Sequence, residues 1–166
     1  MRRKIGTLGF TYIELMAALA VVMVLAAAAI PVFRWDEKRR REGHLRSHLA
    51  TMRAAIDQYN KYVQEGLIVA TDVQQCASPE NPRTCFPQSL EDLVKGVEVG
   101  DPESPDTKTV IFLQRIPADP FTEEARWGIR SYQDDWDSNS WGGENVYDVY
   151  SLSDLRALDG TYYKDW

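Results

Sequence analysis

Apolar positions divide the chain into stretches of different character. From Phe10 to Phe33 the 24 residues are apolar but for Thr11, Glu14 and the Tyr12 hydroxyl. A helix there is apolar all round, and at ~1.5 Å per residue it reaches ~36 Å, enough to cross a hydrocarbon core. Beyond Pro31 the pattern becomes one-sided. Leu45, Leu49, Met52, Ile56, Tyr59 and Val63 follow one another at spacings of 4, 3, 4, 3 and 4, with Arg46, Arg53, Asp57 and Lys61 between them. That spacing is one stripe on a helix. It predicts a face packed on the chain's own sheet, with a groove for a partner helix as the sharper alternative. Gly66 is the expected stop. One long helix over about Phe10–Glu65 follows.

The remainder reads as short elements. Residues 71–108 form an elaborated loop region holding a short helix at Ser89–Lys95. Ser89 is its cap, Asp92 stands three residues on, and Leu90, Leu93 and Val94 form its buried side. Gly100 to Asp106 is turn-rich. Strands are expected at Thr109–Leu113, Trp127–Tyr132 and Val146–Leu152, the last with Val146, Asp148 and Tyr150 on one face and Tyr147, Val149 and Ser151 on the other.

Charge sharpens this picture. Residues 1–9 carry Arg2, Arg3 and Lys4 and no acid, residues 10–33 carry only Glu14, and residues 34–70 hold eight bases against five acids. Residues 71–166 hold eight bases against nineteen acids. A basic tip, an apolar rod, a basic collar at Lys38–Arg41 and an acidic head suit a protein oriented by a membrane. The collar suits lipid headgroups, with a solvated helix face as the plain alternative. Nucleic acid is disfavoured as a partner because the head would repel phosphate. At 166 residues the chain has room for one compact domain and an anchor.

Glu14 is the residue that an ordinary apolar segment does not explain. A carboxylate inside such a segment is costly and marks a functional position. Cleavage after Gly9 would create an amine at Phe10, one helical turn from Glu14, and in a stack of identical helices that amine can pair with a neighbour's carboxylate. A carboxylate merely close to a membrane interface is the plainer reading. A secretory signal peptide, cut near Ala26–Ala29, is the competing account of the N-terminus. Cys76 and Cys85 flank eight residues that include Pro79 and Pro82. Their even number and short spacing suggest a disulfide in an oxidising compartment, against two free thiols.

Gly9-Phe10-Thr11-Tyr12-Ile13-Glu14-Leu15 resembles the type IV prepilin signature G-F-T-L-I-E-L, with Tyr12 in place of the usual Leu. Pro31 stands where many pilins place a helix-kinking proline. The resemblance implies a prepilin peptidase that cuts between Gly9 and Phe10 and methylates Phe10, and a helix that anchors first and later forms a filament core. A second resemblance is carried by Ile116-Pro117-Ala118-Asp119-Pro120-Phe121, which looks like the L-P-x-D-P-[WF] turn of type II secretion major pseudopilins. The ending from Tyr147-Asp148-Val149-Tyr150-Ser151-Leu152 to Asp165-Trp166 is similar to theirs. In that family the C-terminal loop binds calcium. Here Ser153-Asp154-Leu155 stands where Gly-x-Asp-Gly is expected, and Asp159-Gly160 comes later.

The residues also offer candidate metal ligands. Asp148, Asp154, Asp159 and Asp165 fall within eighteen residues, and oxygen ligands separated by turns suit calcium; solvated surface acids are the alternative. Asp134-Asp135-Trp136-Asp137 reads as a surface or subunit-contact loop, with calcium binding as the second choice. His44 and His48, at i and i+4, lack a third ligand nearby and read as surface residues. No glycine loop for phosphate, nucleophile elbow or Cys–His pairing points to catalysis, so an enzyme is not expected.

The sequence therefore leads to an α+β, pilin-like lollipop, a long N-terminal helix packed on a small antiparallel sheet. Residues 1–9 are expected as leader, 10–33 as the transmembrane and polymerisation helix, and 34–166 as the soluble head. The expected function is a structural filament subunit, a type II secretion pseudopilin. Alternatives are a type IV pilin for adhesion or motility, and a secreted or membrane-tethered binding domain. The resemblance implies as partners further copies of the chain, minor pseudopilins, the prepilin peptidase and an inner-membrane assembly platform. The expected location is the inner membrane, single-pass, with a periplasmic head.

Overall fold

The structure is a computed structural model that describes residues 9, 11–68, 86–100 and 106–166, with the side chains of 27–34 left aside. It is an α+β protein in two compact units, Met1–Arg40 and Arg41–Trp166. Helix α1 (Tyr12–Gln64) begins in the first unit and ends in the second.

In the first unit every described side chain from Thr11 to Ala26 is exposed, including Ile13 at 78% and Val24 at 71%. Among the described residues no helix is long and apolar enough to cross a membrane. This overturns the expected single-pass inner-membrane anchor with a periplasmic head. Helix α1 runs on from its apolar part through the basic collar Lys38–Arg41. It also carries Glu14 in its first turn.

In the second unit the stripe on α1 behaves as its spacing demands. Leu45, Leu49, Met52, Ile56, Tyr59 and Val63 are all buried and belong to one core cluster. The helix ends through glycine. Gly66 has φ +70°, its N–H reaches the Val63 carbonyl at 2.9 Å, and the Leu67 N–H reaches Tyr62 at 3.0 Å. These two bonds form the Schellman pattern, which needs the left-handed conformation that glycine adopts without strain.

Helix α2 (Leu90–Lys95) starts at Ser89, whose N–H donates to the Asp92 carboxylate at 2.9 Å. Leu90 and Leu93 are buried. Strand β1 (Val97–Gly100) pairs antiparallel with β2 (Thr107–Val110), Val97 opposite Val110. Strand β1 falls where no strand was expected, and β2 lies earlier than the expected Thr109–Leu113. The reason is local: the Phe112 and Leu113 N–H groups turn to the Leu93 carbonyl, at 3.1 and 2.9 Å. Strand β3 (Gly128–Arg130) pairs antiparallel with β4 (Asp148–Tyr150).

The expected alternation of β4 is not observed. Val146, Val149, Tyr150 and Ser151 are all buried, while Tyr147 is 47% exposed. Gly128 lies opposite Tyr150, and a Cβ there would meet the Tyr150 ring at 2.2 Å. The close approach of ring to backbone explains the glycine.

Candidate functional site

The signature residues lie at the start of the chain. Gly9 is exposed with open space around it; Phe10 lies outside the described residues. Thr11 begins the helix, its carbonyl accepting the Glu14 and Leu15 N–H groups at 3.1 Å each. Glu14 is exposed among exposed apolar neighbours. Cys76 and Cys85 lie outside the described residues.

The two C-terminal motifs meet. Asp119, in the turn that resembles the pseudopilin one, is completely buried. Its carboxylate accepts the Phe121 N–H at 2.8 Å and the Ser151 hydroxyl at 2.5 Å. Its carbonyl accepts the Glu123 N–H at 2.8 Å, which holds Glu123 at φ 61°. The turn is also tied to α1, because His48 Nδ1 donates to the Ala118 carbonyl at 3.1 Å. His48 is therefore half-buried and bonded, where a surface residue was expected. Trp127 Nε1 donates to Pro117 at 2.9 Å, and Phe121 stacks on Tyr163 with centroids 3.9 Å apart.

Tyr163 leads to Glu42, which directly follows the basic collar Lys38–Arg41 in sequence. Glu42 is buried and accepts the Tyr163 hydroxyl at 2.9 Å and the Leu158 N–H at 2.8 Å. Burial, then the bond to the Glu42 carboxylate and its charge, raise the Tyr163 phenol above its ordinary value. The signal for Glu42 was available: it lies three residues before Leu45, and so extends the buried stripe by one position.

The four acids expected to share calcium do not converge. Among the described residues no group of three or more His, Cys, Asp or Glu could hold a metal. Asp148 pairs with Arg53 at 2.7 Å and with Arg130 at 3.6 Å. Asp154 meets Lys164 at 3.4 Å. Asp159 accepts the hydroxyl and N–H of Thr161 at 2.6 and 3.0 Å and faces Arg46 at 3.7 Å. The Thr161 bonds hold the Asp159 carboxyl below the usual range. Asp165 belongs to a short 3-10 turn, Tyr163–Asp165. The donor set therefore does not fit a calcium centre.

The loop between β3 and β4 is fixed by its own polar groups. Asp134 accepts the Ser131 and Gly142 N–H groups at 2.7 and 3.1 Å, which lowers its carboxyl. Asn145 and Trp141 add further bonds across it. Trp136 stands 86% exposed beside Asp135 and Asp137.

Comparison with family models, with curated proteins and with solved structures gives no match.

Proposed function

We propose that the chain is the structural subunit of a type IV pilus-like filament, of the pseudopilin kind, polymerising through the apolar half of α1. In this reading the fold is pilin-like, with the stripe-bearing half of α1 packed on the two small sheets. The observation that carries the reading is the exposure of that apolar half. Ten large apolar side chains between Tyr12 and Leu25 are from 52% to 78% exposed. Burying an apolar side chain of this kind contributes about 1.5–3 kcal/mol, so association of such helices has a large driving force. Glu14 then finds its partner in the Phe10 amine of the next copy, released by a prepilin peptidase. Minor subunits and an assembly platform complete the expected partner set.

The test is assembly itself. The processed chain is expected to form regular filaments by negative-stain electron microscopy, and Glu14→Ala is expected to be processed normally but to lose them. A processed wild-type chain that stays monomeric would refute the reading. Normal filaments from Glu14→Ala would remove the pairing of amine and carboxylate from it.

A further inference from the structure

The head carries a projecting group and a recess of matching chemistry. The group is Trp136, in the loop between β3 and β4. It is 86% exposed, and Asp135 and Asp137 on either side of it are exposed as well. Among the described residues no base pairs with either of these carboxylates. The loop is nevertheless fixed. Asp134 ties its two ends through the Ser131 and Gly142 N–H groups at 2.7 and 3.1 Å. The Asp135 carbonyl accepts the Ser138 N–H at 2.9 Å, and the Ser138 carbonyl accepts Arg130 Nε at 2.9 Å. An indole held out by a fixed loop loses little freedom on docking, the condition under which a Trp contributes most to an interface.

The recess lies against α1. A cleft of about 370 Å³ is lined by Arg46, Leu49, Ala50, Arg53 and Trp166. Its apolar lining is Leu49, Ala50 and the Trp166 ring, and its charge comes from the two guanidinium groups. Arg46 lies over the Trp166 ring at 4.2 Å, its side chain 65% exposed and 3.7 Å from Asp159. Arg53 is committed to Asp148, which Arg130 shares. Three bases thus stand against two acids on this side of the head. Pockets from about 300 Å³ upward take whole small ligands, so one indole fits. The chain's own Trp136, exposed as it is, does not fill the cleft.

We propose that the two features are the halves of one contact between copies of this chain: Trp136 of one copy enters the cleft of another, with Asp135 and Asp137 beside Arg46. Charge argues for a second copy as the occupant. At a net charge of −6 the copies repel unless acids meet bases locally, and an acid-flanked Trp facing a base-flanked apolar cleft is such a match. A projection that fits a recess elsewhere on the same molecule joins copies head to tail, a contact that repeats unless its rotation closes a ring. One indole buries roughly 150–250 Å², far below the ~1,200 Å² of a stable interface, so the contact is weak singly and gains its strength by repetition. It uses only residues of the Arg41–Trp166 unit and does not rest on polymerisation through α1.

The experiment is covalent capture with the full chain in a non-ionic detergent, which shields the apolar part of α1. A chain carrying Trp136→p-benzoylphenylalanine is mixed with an equal amount of heavy-nitrogen-labelled wild type, illuminated and run on a denaturing gel, and the junctions are sequenced by mass spectrometry. The expected product is a dimer joining position 136 to Leu49, Ala50 or Trp166 of a labelled copy. Ala50→Trp in the labelled copy, at an exposed position of α1, fills the cleft and should lower the yield roughly tenfold. Asp135→Lys/Asp137→Lys in the photoreactive copy turns attraction into repulsion and should lower it by a similar factor. Absence of the dimer, junctions outside the cleft, or a yield that survives either change overturns the inference. If Ala50→Trp is obtained only unfolded, Arg46→Glu takes its place with the same expectation. A negative result leaves filament formation through α1 standing, because the detergent prevents it in every sample.

Discussion

Removal of one oxygen atom, in Tyr163→Phe, tests the buried contact between α1 and the C-terminal residues. The ring would keep its stacking on Phe121 at 3.9 Å and its edge contact with Trp166 at 5.2 Å, so packing changes little. What disappears is the hydroxyl's bond to Glu42 at 2.9 Å, leaving that carboxylate with the Leu158 N–H alone among the bonds described above. A hydrogen bond to a charged acceptor contributes about 1.5–3 kcal/mol. For a chain of this size about 2–4 °C follows each kcal/mol, so the midpoint should fall by roughly 3–12 °C. The pH dependence gives an independent readout. The folded phenol is raised above its ordinary value of 10.0, so above pH ~10 the unfolded state loses a proton that the folded state retains. The contribution is full below pH ~10 and is lost as pH rises further, at up to about 1.4 kcal/mol per unit. Urea unfolding followed by far-UV circular dichroism, from neutral pH to about pH 11, measures both effects. Tyr163→Phe should be weaker at neutral pH and lose less stability in alkali than wild type. Equal midpoints at neutral pH, or parallel alkaline losses, would refute the reasoning.

Two further substitutions probe the places where the C-terminal motifs are fastened. Asp119→Ala leaves the Ser151 hydroxyl and the Phe121 N–H without their acceptor in a fully buried position, and should cost about 2–4 kcal/mol by chemical denaturation; a loss below ~0.5 kcal/mol would show that the turn stands without it. Gly128→Ala places a methyl against the buried Tyr150 ring and should cost about 1–3 kcal/mol, with Tyr150 amide exchange accelerated; unchanged exchange would show that the strand pair absorbs the methyl.

Legibility in the sequence followed the range of the interaction. The long helix and its stripe could be read because a spacing of three and four reports a local geometry that the core then uses directly. Ser89 and Asp92 could be read for the same reason, since their bond closes within one turn. Strand β1 could not: Val97-Glu98-Val99-Gly100 is four residues long, and its partner lies across residues whose turn composition dominated the reading. Glu42 directly follows four basic residues in sequence, whereas its partners are 116 and 121 residues away. The acids Asp148, Asp154, Asp159 and Asp165 are close in sequence, but the first three each meet a cation or hydroxyl supplied by their own surroundings. Nearness along a chain places oxygens within reach of one another; whether they share an ion depends on the cations already present, and Arg53 is one of them.

The separation between Glu42 and Tyr163 also sets a schedule for folding. During synthesis at about 5–20 residues per second, their separation of 121 positions keeps the stripe of α1 waiting for roughly 6–24 s. Through that interval Leu45, Leu49 and Met52 are made, but their C-terminal cover, Val146, Val149 and Tyr163, is not. The head therefore closes only after Tyr163 has been made, and its topology, rich in distant contacts, folds more slowly than a bundle of local ones. Until Tyr163 has been made, the newborn helix presents apolar side chains along both of its halves, and the cell must guard both rather than its first few turns alone.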